Sequence, residues 1–165
     1  MSSFLSKAFT ARDSAETRTL YDDWASSYEA EITAQGYATP ARCAAALLKY
    51  AGDTSAPVLD FGCGTGLAGQ ALKDAGFAVI DGVDLSPAML AEAQAKDVYR
   101  TLTRIEPGQA LPFADGAYSL MAAVGVIGTG AAPAGALHTL MRKLPKGGRL
   151  VLSQNDHTLK DPAFM

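Results

Sequence analysis

Cysteine, histidine and tryptophan are scarce in this chain of 165 residues, at two, two and one. Cys43 lies in an alanine-rich helical stretch and Cys63 among glycines, so no C-x-x-C pair is available for zinc or dithiol chemistry. Two small buried thiols and no metal site are expected. An excess of positive charge is missing too. Lys and Arg number 14 against 17 Asp and Glu, for a net charge of −3 and a sequence pI near 5.3. That balance offers no basic footprint for a phosphate backbone, and nucleic acid is not expected as a partner. No apolar run approaches the roughly 20 residues that span a bilayer, and the opening "MSSFLSKAFTARDSAE" lacks the apolar core of a secretory signal. A cytoplasmic protein without a membrane partner is the expectation.

Apolar residues are plentiful, at 48% of the chain, enough for one domain with a substantial core. Asp13 and Glu16 resemble a capping box, and Leu20, Tyr21, Trp24, Tyr28 and Ile32 recur at helical spacing. Thr39 and Pro40 read as an N-cap and first turn, with Gly52 as the stop. From there strand and helix patterns alternate. Strands are predicted at Val58–Phe61 and Phe77–Val83, within Tyr99–Ile105 and Tyr118–Val126, and at Leu150–Ser153. Helices are predicted at Leu67–Ala75, at Pro87–Lys96 behind a Ser86 cap, and from about Ala134 to Leu144. Such alternation predicts an α/β fold: a doubly wound, mostly parallel, Rossmann-like sheet covered on both faces. Residues 1–52 read as an N-terminal helical cap or lid and 53–165 as the core.

Sheets of this kind bind ligands beyond the carboxyl ends of their strands, which is where "PVLDFGCGTGLAGQAL" falls. Gly62, Gly64 and Gly66 let a ligand lie against bare main chain, and the following helix presents free N–H groups to an anionic group. Asp84, at the end of the next strand in "VIDGVDLSPAML", is placed to accept hydrogen bonds from ribose hydroxyls. Any nucleoside cofactor fits so far. Asp60 separates them, because a dinucleotide would set its pyrophosphate close to that carboxylate. S-adenosylmethionine brings a sulfonium and an ammonium instead, for which a nearby acid is favourable.

"VLDFGCGTG" followed by "GVDLSPAML", "LPFADGAYSLMAA" and "LPKGGRLVLS" resembles the class I S-adenosylmethionine-dependent methyltransferase family over residues 57–153. The front end, "YDDWASSYEAEI" with "GYATPARCAAALL", resembles its Williams–Beuren-region methyltransferase-like branch. The resemblance implies a cofactor cradle made by Asp60, Gly62, Cys63 and Gly64, with Asp84 on the ribose and Leu85 and Met89 near the adenine. It also implies that Tyr21, Trp24 and Tyr28 form a lid over the methionine end, although an aromatic stripe serves equally to bury a helix. "RIEPGQALPF" lacks the family's Gly-Asp pair at the adenine amino group, where Glu106 is an approximate stand-in.

Methyl transfer from an activated sulfonium asks mainly for alignment and exclusion of water. The acceptor, expected to be a small molecule, should lie beside "VGVIGTG" and "SQNDH", where His157 is the candidate base. A cofactor-binding protein without turnover is the second reading, and a nicotinamide-dependent oxidoreductase, disfavoured by Asp60, the third. Family members continue past the fifth strand into an antiparallel hairpin that finishes the sheet. With the chain given to Met165, the expectation is a shortened form lacking that hairpin, or a homodimer paired through the fifth strand.

Overall fold

The computed structural model describes residues 14–34, 36–128 and 131–164. Five short strands form one parallel sheet: β1 (Val58–Phe61), β2 (Ile80–Asp84), β3 (Thr101–Arg104), β4 (Leu120–Ala123) and β5 (Arg149–Leu152), in the order β3-β2-β1-β4-β5. The order reverses between β1 and β4, which opens a crevice at the carboxyl ends of these central strands. This is the doubly wound, Rossmann-like arrangement that the alternating pattern predicts. Among the described residues every strand pairing is parallel, and β5 pairs with β4 alone.

β1 and β4 are buried along their whole length, as expected of continuous apolar runs in the middle of a parallel sheet. Successive side chains go to opposite faces. Val58, Ile80, Leu120 and Ala122 pack with Ala44 and Leu47 of α3 (Thr39–Ala51) and Leu72 of α4 (Leu67–Ala75). Leu59, Phe61, Val83, Met121 and Ala123 pack instead with Leu140 of α6 (Ala134–Lys143). A third cluster joins the N-terminal helices α1 (Ser14–Trp24) and α2 (Tyr28–Ala34) to Met89 of α5 (Pro87–Ala95), through Trp24, Ala25 and Ile32. The short α7 (Asp156–Leu159) follows β5.

Several predicted boundaries move. The second strand begins at Ile80 rather than Phe77, because Phe77 is spent in the core contact beneath the end of α4 and Gly76 makes the left-handed cap of that helix. Thr39 is the first residue of α3 rather than its cap, and Ala38 stands at the N-cap without a side-chain bond. Ser86 does cap α5, accepting from the Met89 N–H at 3.2 Å. The Asp13 half of the predicted capping box lies outside the described residues, as does the side chain of Glu16. Helix α3 buries Cys43, Ala44 and Leu47, the last two packed with the sheet and α4. Cys43 and Cys63 are both free and buried, as predicted.

Candidate functional site

A cavity of about 550 Å³ opens at the carboxyl end of the sheet, lined in turn by the segments that leave β1, β2, β3 and β4. From β1 come Phe61, Gly62 and Gly64. Gly62 has φ +68°, and a Cβ there would overlap the Val126 side chain, so the turn and the wall opposite meet through bare backbone. Its N–H and that of Cys63 both donate to the Val83 carbonyl, at 2.9 and 3.0 Å, which ties the turn to β2.

Asp84, the last residue of β2, reaches into this turn. Its Oδ2 accepts the Gly64 N–H and its Oδ1 the Ser86 N–H, each at 2.9 Å. Burial pushes the carboxyl above its usual range, against the pull of those two donors. Leu85, Ser86 and Met89 continue the lining on this side. The carboxyl oxygens keep lone pairs free for hydroxyl donors at the cavity, which suits a ribose.

The N-terminal helices close the cavity from above through Arg18, Tyr21 and Tyr28. Three polar links hold them there. Arg18 pairs with Glu106 at 3.0 Å, Asp22 accepts from the Ser86 hydroxyl and the Ala88 N–H, and Glu29 pairs with Lys96. Burial, with Asp84 nearby, pushes the Tyr21 phenol up to about 12, and burial also raises that of Tyr28. Both are neutral donors at physiological pH.

The structure divides the predicted site residues into three groups. Tyr21, Tyr28, Gly62, Gly64, Asp84, Leu85, Met89 and Glu106 line one cavity. Trp24, Asp60 and Cys63 lie behind it. Trp24 is 1% exposed, stacks on Tyr21 at 5.7 Å, meets Tyr28 edge-on at 4.6 Å and donates its Nε1–H to Glu31. It packs behind Tyr21 and Tyr28 rather than touching the cavity. Asp60 turns toward Tyr99, whose hydroxyl donates to it at 2.7 Å. His157 stands apart, exposed on α7, and does not line the cavity. The neighbouring Thr158 takes the buried position against Gly128. "VGVIGTG" does reach the cavity through Val124, Gly125 and Val126, whereas "SQNDH" does not.

Glu106 is already engaged, by Arg18 on one oxygen and Arg104 at 2.9 Å on the other, so its carboxylate joins α1 to the sheet. Arg18 and Tyr99 are the residues that sequence reading missed. Nothing local marks Arg18, since its partner lies 88 residues away. Tyr99 did leave a trace, a glycine inside α4 at position 69, where a helix tolerates glycine poorly unless something approaches closely.

Comparison with known proteins agrees with this geometry. Residues 59–152 match the family model described as a methyltransferase domain. Human methyltransferase-like protein 27 is 36% identical over 139 residues, covering 82% of this chain and 56% of that protein. An 18S rRNA (guanine-N(7))-methyltransferase from Bos taurus is 39% identical over 70 residues, 42% of this chain and 25% of its own. Among solved structures, a Haloferax volcanii methyltransferase in complex with the Trm112 methyltransferase activator superposes with a TM-score of 0.68 at 25% identity, over 82% of this chain and 59% of that one. The chain thus spans little more than half the length of the human relative it matches.

Proposed function

Because the chain belongs to the methyltransferase-domain family, we propose that it binds S-adenosylmethionine in the cavity and passes the methyl group to a small-molecule acceptor. The observation that carries this reading is Asp84, held by the Gly64 and Ser86 N–H groups with its carboxyl at the cavity wall. Asp84 takes the ribose, and Gly62 and Gly64 admit the methionine portion along bare main chain. Leu85 and Met89 flank the adenine, and Tyr21 and Tyr28 cover the methionine end. The bound cofactor supplies an activated methyl group.

The chain's own residues then orient and exclude water. The wall opposite the glycine turn is built from Val124, Val126, Ala132 and Ala136, an apolar surface suited to the body of a compact acceptor. Among the described lining residues no histidine is present, so the acceptor is best a group that reacts without losing a proton to an imidazole. The Bos taurus relative is by name an 18S rRNA methyltransferase, so the acidic net charge does not decide against a nucleic-acid acceptor. The mostly apolar lining of the cavity beneath the N-terminal helices favours the small molecule. We place the lid itself at α1 and α2, ahead of α3.

Calorimetry with S-adenosylmethionine, S-adenosylhomocysteine and NAD tests the cofactor, and binding of NAD alone would overturn the assignment. The acceptor class is read by incubating the protein with methyl-labelled cofactor and a fractionated extract. Label in the low-molecular-weight fraction supports the proposal; label only in RNA would move the acceptor to nucleic acid.

A further inference from the structure

Behind the glycine turn lies a carboxyl group that the cavity does not explain. Asp60 is fully buried and does not line the cavity. On β1 it shares a face with Val58, toward α3 and α4. Oδ2 accepts from the Tyr99 hydroxyl, and Oδ1 accepts no hydrogen bond among the described residues. Tyr99 occupies a slot made for it. A Cβ on Gly69 of α4 would overlap its hydroxyl, and one on Gly82 of β2 would lie 3.0 Å from its ring.

The ionisable groups around Asp60 are Tyr99 from the loop before β3, Cys63 from the glycine turn and Asp84 from the end of β2. None is a cation, and among the described ion pairs none includes Asp60. Burial pushes Asp60 up to about 7, with Asp84 adding to the rise and the Tyr99 bond opposing it. A fully buried carboxyl with one protein donor and no cation beside it is more stable neutral than charged.

We propose that Asp60 carries a proton in the empty site and gives it to solvent when the sulfonium of S-adenosylmethionine settles on the adjoining glycine turn, with Tyr99 as the positioning residue that holds the carboxyl there. Only the carboxyl O–H bond breaks, and the buffer takes the proton. The inference rests on the cofactor assignment above. It gives the site a means of telling cofactor from product. S-adenosylhomocysteine shares the ribose, carboxylate and ammonium but lacks the sulfonium charge, so effects passing through Asp84 are common to both ligands and the difference falls on Asp60.

The test is calorimetry of both ligands at pH 7 in two buffers of different ionisation enthalpy, with affinities followed from pH 6 to 8. A group titrating near 7 is about half protonated there, so S-adenosylmethionine should release about half a proton more than S-adenosylhomocysteine, and its advantage over the product should grow about tenfold between pH 6 and 8. Asp60→Asn should abolish both differences. Should that variant not fold, Tyr99→Phe keeps the carboxyl, removes the bond that lowers its pKa, and should move the midpoint of the pH dependence upward. Equal proton release by the two ligands, differences unchanged in Asp60→Asn, or a Tyr99→Phe midpoint at the wild-type value would each overturn the proposal. Failure of both ligands to bind would overturn it together with the cofactor assignment.

Discussion

At the scale of single residues, two carboxylates from neighbouring strands meet opposite fates because of what each finds at its strand end. Asp84 finds two N–H donors and the cavity; Asp60 finds one phenol and no N–H donor among the described residues. Replacing Asp84 by Ala removes the bonds to Gly64 and Ser86 as well as those offered to a ribose. Cofactor binding should weaken by about 1.5 to 3 kcal/mol for each charge-assisted bond lost, which titration calorimetry would register; wild-type affinity would end its ribose role. For Asp60 the prediction concerns stability. Its pKa is raised from 3.8 to about 7 in the fold, so its favourable contribution is full below pH 3.8 and is lost as pH rises through 7. By pH 8 the ionised form costs the protein on the order of a few kcal/mol. Asp60→Asn cannot ionise and keeps an oxygen for Tyr99. Its stability relative to wild type, measured by urea unfolding, should improve from pH 5 to about pH 7 and level off toward pH 8. A difference that stays constant over that range would show that Asp60 is not ionising in a buried setting.

At the scale of elements, α1 and α2 are held over the cavity by a layer of aromatic packing and by three polar links whose partners all lie on or beside α5 and β3. The packing is partly local, since Tyr21, Trp24 and Tyr28 touch one another, and it also reaches α5 through Met89. The links are not. Arg18 and Glu106 are about one third exposed, so their attraction is screened by salt and worth little alone. A ligand that touches Tyr21 and Tyr28 should hold these helices against the cavity. Amide exchange over residues 14–34 should therefore slow when S-adenosylhomocysteine saturates the site and quicken at 0.5 M salt without it. Exchange indifferent to the ligand would make the aromatics core packing alone.

At the scale of the whole molecule, burial is greatest in the middle of the sheet and falls toward both edges. β1 and β4 are covered on both faces, whereas β3 and β5 are partly exposed and each has one neighbour among the described residues. Exchange under native conditions should be slowest at Val58–Phe61 and Leu120–Ala123 and faster at Thr101–Arg104 and Arg149–Leu152, because only the central strands require global opening. A cluster at β2 steadies one edge. Asp81 accepts from Arg100, Thr101 and Tyr118, and these donors outweigh the upward push of burial and hold its carboxyl below the usual range. Uniform exchange across the five strands would contradict this gradient.

What the sequence determined by itself was local or periodic. Val58–Phe61 is a strand because four apolar or buried positions run together, and Leu67–Ala75 is a helix between left-handed glycines. Ser86 before Pro87 starts α5, and the alternation of such segments leaves only a parallel sheet with its crevice at the glycine turn. Eight of the predicted site residues meet at one cavity, most of them because they sit at or just after strand ends, with Tyr21, Tyr28 and Met89 brought to it by three helices. Tertiary structure decided the remainder. That Asp60 points behind the cavity follows from the pleat and from a tyrosine 39 residues away. That Glu106 is bound to Arg18 depends on how α1 crosses the sheet, and that His157 faces solvent depends on Thr158 taking the buried side of α7. Periodicity fixes which residues share a face; the direction of each face, and the partner that meets it, exists only once the segments have packed.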